Sequence, residues 1–581
     1  MCTLTLFRVA ALAFLLVASA AGAKPSLALS AGAVASPDRY GTRAAQEILK
    51  AGGNAVDAGV ATAFVLAVTY PEAGNLGGGG FMTLYVGGKP YFLDYRETAP
   101  AKASAGMYLD RKGDPIPELS LVGPLAAGAP GTVRGMEAAH ARFGKLAWAR
   151  DLAPAIRLAQ EGFRPGAGAV RARDEARAAF ARTNFDRYFR GMATGRRFRQ
   201  PELAVTLRRI AKDGSKGFYE GRTAELIVAQ MGRGPVKGLI SRADLAGYKV
   251  AWRAPIEGEW RGFHVITAPP PSSGGVALLQ MLSMKADDSD MFKGAPLNSP
   301  QYLHLVSEIE KLVFSDRAEY LGDPDFWKVP VAALTDPAYI ARRAQEVDPV
   351  KPSALTTPGL TTPGLTTPGV TSVTPRLGAE KPQTTHFSIV DRWGNAVSNT
   401  YTLNGSFGAG VVVEGAGFLL NDEMDDFSVK PGSANQFGVV GGEANAIAPF
   451  KRPLSSMTPT ILTEGGGRAT SGRLAMVIGT PGGSRIFTSV FQVLADVYDF
   501  NLTLPKALAA LRFHHQLLPE NTIFFEPFAP LPASLAKAMQ ARGYRIEDQG
   551  FNGDIEAIQI VGGAPRPGSD PRARGVSAVV R

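Results

Sequence analysis

The stretch TTHFSIVDRWGNAVSNTYTLN, residues 384–404, decides the fold of this chain. Residues 384–390 and 395–402 are rich in the β-branched and aromatic residues that favour strands. Residues 391–394 (DRWG) between them have the polar and glycine content of a turn. The pattern therefore predicts a β-hairpin.

The register of this hairpin decides which side chains meet at its open end. Pairing the last residue of the first strand with the first of the second places Thr384 opposite Tyr401, with Thr402 within one residue of that place. The hairpin thus brings the hydroxyl groups of Thr384 and Thr402, together with Asn404, to one end of a sheet.

A threonine hydroxyl is a poor nucleophile unless a base is close to it. The α-amino group of the same residue can be that base once the residue becomes a chain terminus, because its ordinary pKa is about 7.7–8.0. This arrangement requires cleavage between Gln383 and Thr384. The LTTPG repeat within the tail of about residues 355–375 predicts an extended, flexible segment that lets the cut end move away. On composition alone, an ordinary Thr-rich strand is the simpler interpretation.

Composition excludes several classes of protein. The chain has 581 residues, 45% of them hydrophobic and 20% charged, which is typical of a globular protein with a large core. The net charge of +10 comes from arginines spread among other residues, so it does not favour nucleic-acid binding. The only cysteine is Cys2, which excludes disulfides, cysteine nucleophiles and thiolate metal sites from the mature protein.

Residues 1–23 have the pattern of a secretory signal peptide. Arg8 precedes an apolar run of residues 9–18, which is too short to span a bilayer, and residues 21–23 (AGA) are typical of a cleavage site. We therefore expect an exported protein, periplasmic or secreted, that is not held in a membrane after removal of the signal. The alternative is a buried N-terminal helix.

Hydrophobic periodicity predicts further elements along the chain. Residues 44–49 and 55–68 read as helices, the second apolar enough to be buried. Residues 82–86 and 90–95 predict a pair of strands. Pro300, after the N-cap residue Ser299, begins a helix that carries Leu303, Val306, Ile309 and Val313 on one face.

Two acidic residues three positions apart, Glu423 and Asp426, can hold an ammonium group or a metal ion. The six histidines show no i, i+4 pair typical of zinc sites, and the segment lacks the glycine of a calcium-binding loop. A solvated acidic turn is the alternative.

Two loops carry further candidates. RPLSSM (452–457) places the hydroxyls of Ser455 and Ser456 together. In GTPGGSR (479–485), the backbone N–H groups of Gly482 and Gly483 can form an oxyanion hole or a phosphate nest, although a plain tight turn is the commoner reason for paired glycines.

Together these runs resemble the γ-glutamyltranspeptidase family. The resemblance covers nearly the whole chain after the signal peptide, in family order, and is carried by the following runs: GGNAVDAGVA (52–61), GNLGGGGFM (74–82), YRETAPA (95–101), PPPSSGG (269–275), residues 384–404, LLNDEMDDFS (419–428), RPLSSMTPT (452–460) and GTPGGSR (479–485). It implies an α+β fold, the αββα sandwich of N-terminal-nucleophile hydrolases, in which two stacked β-sheets lie between helical layers.

The resemblance also implies that the precursor cuts itself between Gln383 and Thr384. The products are a large subunit of residues 24–383 and a small subunit of residues 384–581, which form one interleaved domain. Residues 431–442 resemble the lid of many family members, with Phe437 where bacterial relatives often carry tyrosine.

The site roles follow from the same resemblance. Thr384 is the nucleophile, Thr402 supports it by a hydrogen bond, and Gly482 and Gly483 form the oxyanion hole. The residues expected to bind the γ-glutamyl group are Arg96, Ser455 and Ser456 for its α-carboxylate, and Glu423, Asp426 and Asn404 for its α-ammonium.

The implied reaction is transfer of the γ-glutamyl group of glutathione or a similar donor to water, an amino acid or a dipeptide, without a metal or organic cofactor. Two alternatives stay open. One is a cephalosporin or glutaryl acylase of the same fold, and the other is an unprocessed, non-catalytic binding protein.

Overall fold

The computed structural model of the chain describes residues 27–286, 290–353, 356–360, 384–465, 472–550 and 553–581. The predicted signal peptide, Gln383 and most of the LTTPG segment lie outside these residues. Within them, no helix combines the length and the apolar character needed to cross a membrane.

Strands and helices alternate in blocks along these residues. The strands are β1 (Gly32–Ser36), β2 (Gly79–Val86), β3 (Lys89–Asp94), β4 (Ala251–Arg253), β5 (Ile256–Trp260), β6 (Phe263–Thr267), β7 (Thr385–Val390), β8 (Ala396–Thr402), β9 (Thr460–Glu464), β10 (Arg473–Gly479), β11 (Thr522–Phe525), β12 (Arg545–Asp548), β13 (Glu556–Val561), β14 (Ala564–Ser569) and β15 (Val576–Val580). The helices are α1 (Arg39–Lys50), α2 (Ala55–Thr69), α3 (Thr132–Phe143), α4 (Trp148–Glu161), α5 (Ala167–Ala176), α6 (Phe185–Phe189), α7 (Pro201–Asp213), α8 (Lys216–Tyr219), α9 (Gly221–Met231), α10 (Arg242–Gly247), α11 (Gly274–Ala286), α12 (Pro300–Tyr320), α13 (Val331–Leu334), α14 (Pro337–Ala344), α15 (Ile486–Tyr498), α16 (Leu504–Ala509) and α17 (Ala533–Ala541).

Two antiparallel sheets stack face to face. One has seven strands in the order β15-β1-β7-β8-β2-β3-β4, and the other has six in the order β14-β13-β10-β9-β6-β5. Strands β7 and β8 contact β10 and β13 across the interface, which a layer of small and branched side chains fills. Helices α1, α2 and α3 cover the outer face of the first sheet, and α11 and α15 cover that of the second. This arrangement confirms the predicted αββα sandwich.

Helix α2 shows why the layers assemble. All fifteen of its residues are buried, as its apolar sequence predicts, so it packs between the seven-stranded sheet and other helices. Its N-terminus is closed by a capping box between Asn54 and Asp57. The helix predicted over 44–49 is also present but begins earlier, at Arg39, after the N-cap residue Asp38.

The predicted hairpin is present as β7 and β8, with a register that differs by one residue from our expectation. Val390 pairs with Ala396 rather than Asn395, because the turn takes five residues and is closed by a hydrogen bond from Asp391 N to Asn395 O at 3.0 Å. Continuing this register beyond the pair Thr385–Tyr401 places residue 384 level with Thr402.

Candidate active site

The open end of the hairpin holds two threonine hydroxyls in contact. Thr384 Oγ1 donates to Thr402 Oγ1 at 3.0 Å, and the same oxygen of Thr402 accepts from Asn404 N at 2.8 Å. Thr384 and Asn404 both have positive φ angles, 71° and 77°. Such angles are rare for a β-branched residue like threonine and concentrate at functional sites.

Thr384 and Thr402 line a small cavity. Nine of the ten residues predicted to act in catalysis or substrate binding line it, and Gly482, the tenth, immediately precedes the lining residue Gly483. The complete lining is Arg96, Arg317, Thr384, Thr402, Asn404, Glu423, Asp426, Asn435, Phe437, Val439, Leu454, Ser455, Ser456, Met457, Gly483, Ser484 and Ile486. Sequence segments spread over almost 400 positions therefore meet at the hairpin end.

A buried ionic cluster forms one wall of the cavity. The Arg96 guanidinium, just after β3, makes ion pairs with Glu423 and Asp426, which lie in one helical turn, and its Nε donates to Pro453 O at 3.2 Å. Burial raises the pKa values of both carboxyl groups, and the charge of Arg96 opposes that shift. Burial also disfavours the charged form of Arg96, but the two carboxylates outweigh it and its pKa rises. The family resemblance assigns these groups to opposite ends of a ligand, and in this structure they form ion pairs with one another.

A third carboxyl group, that of Glu97, lies behind Arg96 and was not predicted as a site residue. It is completely buried, 3.7 Å from the Arg96 guanidinium, and neither of its oxygens has a hydrogen-bond partner among the described residues. Burial raises the pKa of Glu97 to about 8, against the opposing charge of Arg96. Its position directly after Arg96 in YRETAPA was the available signal.

The two predicted serines lie on a second wall. Ser455 Oγ accepts from Met457 N at 3.1 Å. Ser456 Oγ accepts from Arg317 at 3.4 Å. Arg317 belongs to α12, whose predicted apolar face is buried together with nearly all its other residues, and sequence reasoning missed it.

The glycine turn after β10 forms a third side. Gly482 and Gly483 have φ angles of 137° and 55°, which L side chains rarely adopt. A Cβ atom at Gly483 would lie 2.6 Å from the ring of Phe437. Glycine is therefore needed here both for the backbone conformation and for the close approach of that ring.

The segment 431–442 contributes Asn435, Phe437 and Val439 to the lining of the cavity. Asn435 Nδ2 contacts Asp426 Oδ1 at 3.4 Å, and Gln516 Nε2 donates to Phe437 O at 3.0 Å. The lid expected from the family resemblance stays a prediction, and Phe437 contributes an apolar ring to the cavity wall.

Groups suited to a metal ion lie elsewhere. Among the described residues, Asp57, His140 and Asp151 offer three ligand atoms within 4.8 Å of one another. They lie near the N-terminus of α2, which Asp391 of the hairpin turn contacts through Ala55 N. This is the opposite end of the hairpin from Thr384.

Comparison with known proteins places this site in a family. The sequence model of the family described as gamma-glutamyltranspeptidase matches residues 41–580. The glutathione hydrolase proenzyme of Pseudomonas aeruginosa is 58% identical over 569 residues, which cover 97% of this chain and 97% of that relative.

Two solved structures extend the comparison. The gamma-glutamyltranspeptidase from Pseudomonas nitroreducens complexed with L-DON is 58% identical with a TM-score of 0.56, and the match covers 57% of this chain and 100% of that chain. The cephalosporin acylase from Bacillus halodurans is 25% identical with a TM-score of 0.77, and covers 99% of both chains. The family match over most of the sequence, together with the 58% identical relative, shows that this chain belongs to the γ-glutamyltranspeptidase family.

Proposed function

We propose that the chain is the precursor of a γ-glutamyl hydrolase and transferase that cleaves the γ-glutamyl amide of glutathione-like compounds. The observation that carries this proposal is the contact between Thr384 and Thr402 at the edge of a cavity that holds both a buried cation and buried carboxylates. A γ-glutamyl group carries one charge of each sign beside its scissile amide, and this wall is complementary to both.

The first reaction is cleavage of the precursor. Thr384 Oγ1 attacks the carbonyl carbon of Gln383, the C–N bond breaks, and the acyl group passes to oxygen as an ester. Water then hydrolyses the ester and leaves a free α-amine on Thr384. The positive φ of Thr384 supports this step, because a strained backbone of this kind raises the precursor energy by on the order of 1–3 kcal/mol and cleavage removes the constraint.

The two expected subunits are residues 24–383 and residues 384–581. Strands from both sides of position 384 are neighbours in each of the two large sheets, for example β1 with β7 and β9 with β6. This mixing supports a processed protein in which both subunits remain in one interleaved domain.

The donor binds by replacing contacts that already exist. Its α-carboxylate takes the place of the protein carboxylates on Arg96, since a guanidinium fork can donate two hydrogen bonds to one carboxylate. Its α-ammonium then forms ion pairs with the carboxylates of Glu423 and Asp426, and Asn404 contributes to the same ammonium site. Ser455 and Ser456 add hydrogen bonds to the α-carboxylate.

The transfer reaction uses Thr384 as nucleophile and its own α-amine as base. The hydroxyl attacks the γ-carbonyl carbon, the oxyanion is stabilised by the N–H groups of Gly482 and Gly483, and the donor amine leaves with a proton. Water, an amino acid or a dipeptide then releases the γ-glutamyl group from Thr384. None of these steps calls on a cofactor. The signal-like residues 1–23 support export to the periplasm or medium.

The donor preference tests this function against the acylase alternative. We expect the purified, cleaved protein to have a higher kcat/KM for a γ-glutamyl anilide than for a glutaryl anilide, which lacks only the α-amino group. A preference for the glutaryl anilide would contradict the roles of Glu423 and Asp426. A protein that stays as one full-length band on a denaturing gel and turns over neither anilide would instead be the non-catalytic binding protein.

A further inference from the structure

Arg317 brings a second cation to the cavity, and nothing in the function proposed above uses it. It lies near the end of α12 and is 7% exposed, with its guanidinium on the cavity wall. Burial lowers the pKa of Arg317 to about 10, and the charge of Asp426 opposes that shift. The side chain therefore stays charged at neutral pH.

The hydrogen bond from Arg317 fixes how Ser456 can act. A serine hydroxyl has one hydrogen to donate and two lone pairs that accept. One lone pair of Ser456 Oγ accepts from Arg317, which leaves its hydrogen for another group. The Ser455 hydroxyl also uses one lone pair within the protein, because its Oγ accepts a hydrogen bond from Met457 N. Both hydroxyls thus accept one hydrogen bond from the protein and keep their hydrogen available to donate, which an anionic carboxylate requires.

A second serine holds Arg317 in this position. Arg317 Nε donates to Ser273 Oγ at 3.1 Å, and Ser273 Oγ in turn donates to Ser455 O at 2.8 Å. Ser273 N donates to the same carbonyl oxygen at 2.8 Å. The guanidinium is therefore braced against the backbone of the loop that carries Ser455 and Ser456.

We propose that Arg317 is a positioning and specificity-determining residue for the acyl donor, which turns the Ser456 hydroxyl toward the donor α-carboxylate and strengthens selection for donors that carry this charge. This inference rests on the function proposed above. It assigns Arg317 to the carboxylate end of the donor, through Ser456, rather than to the reacting carbonyl group.

The test compares two donors that differ only at the α-carboxylate. One is the γ-glutamyl anilide, and the other is the same anilide with its α-carboxylate converted to a carboxamide. We expect Arg317→Gln to raise KM for the γ-glutamyl anilide. We also expect the ratio of kcat/KM for this donor to kcat/KM for the carboxamide to fall at least about 10-fold from its wild-type value, because one charge-assisted hydrogen bond has an effect of this size. Arg317→Lys keeps the charge but not the fork, so it should recover part of the preference.

The matched control is Arg343→Gln. Arg343 is also buried, but it pairs with Asp316 at 3.4 Å and does not line the cavity. We expect this variant to keep the wild-type preference. A denaturing gel establishes that each variant is cleaved. If Arg317→Gln is not cleaved, the comparison of the two donors is made with Arg317→Lys.

The outcomes separate this inference from the proposed function. Arg317 has only a structural role if Arg317→Gln and Arg317→Lys lower kcat/KM equally for both donors. The same conclusion follows if Arg343→Gln reduces the ratio of the two kcat/KM values as much as Arg317→Gln does. A cleaved wild type that turns over neither donor would contradict the function itself.

Discussion

The two ends of the β7–β8 hairpin differ in how their polar groups are satisfied. At the turn end, the buried carboxylate of Asp391 accepts hydrogen bonds from Trp393 N, Asn395 N, Asn395 Nδ2 and Ala55 N, all between 2.8 and 3.0 Å. At the open end, Thr384 has one side-chain hydrogen-bond partner among the described residues, a strained backbone and a cavity in front of it. One end fixes the register, and the other leaves a hydroxyl available for chemistry.

A raised pKa alone does not distinguish these ends. Burial raises the pKa of Asp151 to about 8 near the turn end, with Asp57 adding to the shift, and it raises that of Glu97 to about 8 near the open end. Glu97 adjoins the cation of a cavity that contains Thr384, the proposed nucleophile, whereas the described group of Asp57, His140 and Asp151 contains no hydroxyl or thiol. A carboxyl group with a raised pKa therefore indicates a functional site only where it lies beside groups that can bind or react with a substrate.

The largest expected effect comes from the open end. Thr384→Ala should abolish precursor cleavage and lower turnover on the order of 10⁴-fold or more, as loss of a nucleophile does. The matched control is Thr385→Val, which removes a neighbouring buried hydroxyl that has no partner among the described residues. Gel analysis and an anilide assay check both variants. Normal cleavage of the Thr384→Ala precursor would contradict the assignment of the reactive hydroxyl to the open end of the hairpin.

Asp426→Asn tests the charge complementarity of the open end. We expect kcat/KM for the γ-glutamyl anilide to fall about 100-fold, because truncating a buried charge pair leaves its partner poorly satisfied. The loss for the glutaryl anilide should be smaller, since that donor has no ammonium group. Asp425→Asn is the control, because Asp425 faces Ser120 and Gln436 rather than the cavity. Equal losses for both donors would contradict an ammonium role for Asp426.

Asp391→Ala tests the turn end. It leaves buried N–H groups without their acceptor, so we expect the free energy of unfolding to fall by about 3 kcal/mol. The specific activity of the folded fraction should stay close to that of the wild type. Urea denaturation and active-site titration measure the two quantities. A large loss of specific activity with unchanged stability would show that the turn end also takes part in catalysis.

Asp151→Asn should have the smallest effect. The folded carboxyl keeps its proton up to about pH 8, whereas the unfolded one loses it near its ordinary pKa of 3.8, so wild-type stability falls as the pH rises across this window. The variant lacks this term and should lose on the order of 2 kcal/mol less stability between pH 6 and pH 7.5. Thermal unfolding at both pH values checks this, and identical pH dependence would contradict it.

Much of the fold could be predicted because local patterns agree with the final structure. The apolar run of α2, the hairpin and the strand pair β2–β3 all follow from residue type and spacing. The register differs by one residue from the assumed pairing of Val390 with Asn395, which is within the one residue that the sequence prediction allowed. The bond from Asp391 N to Asn395 O lengthens the turn, and side-chain periodicity does not reveal it.

The site was predicted less completely than the fold. Glu97 was missed although it directly follows Arg96 in the sequence. Arg317 was missed because its contacts, such as that with Ser456, are with residues distant in sequence. Arg317 also lies in α12, whose apolar periodicity indicates a core helix. The mutual neutralisation of Arg96 and Glu423 was not foreseen, because it depends on two loops meeting in three dimensions.

The most direct test of the account is the N-terminal sequence and intact mass of the smaller fragment of the purified protein. The account predicts a fragment that begins with Thr384 and carries a free α-amine, together with a larger fragment that ends at Gln383. An active protein in which Thr384 remains inside an uncut chain, or whose smaller fragment begins at another residue, would contradict it.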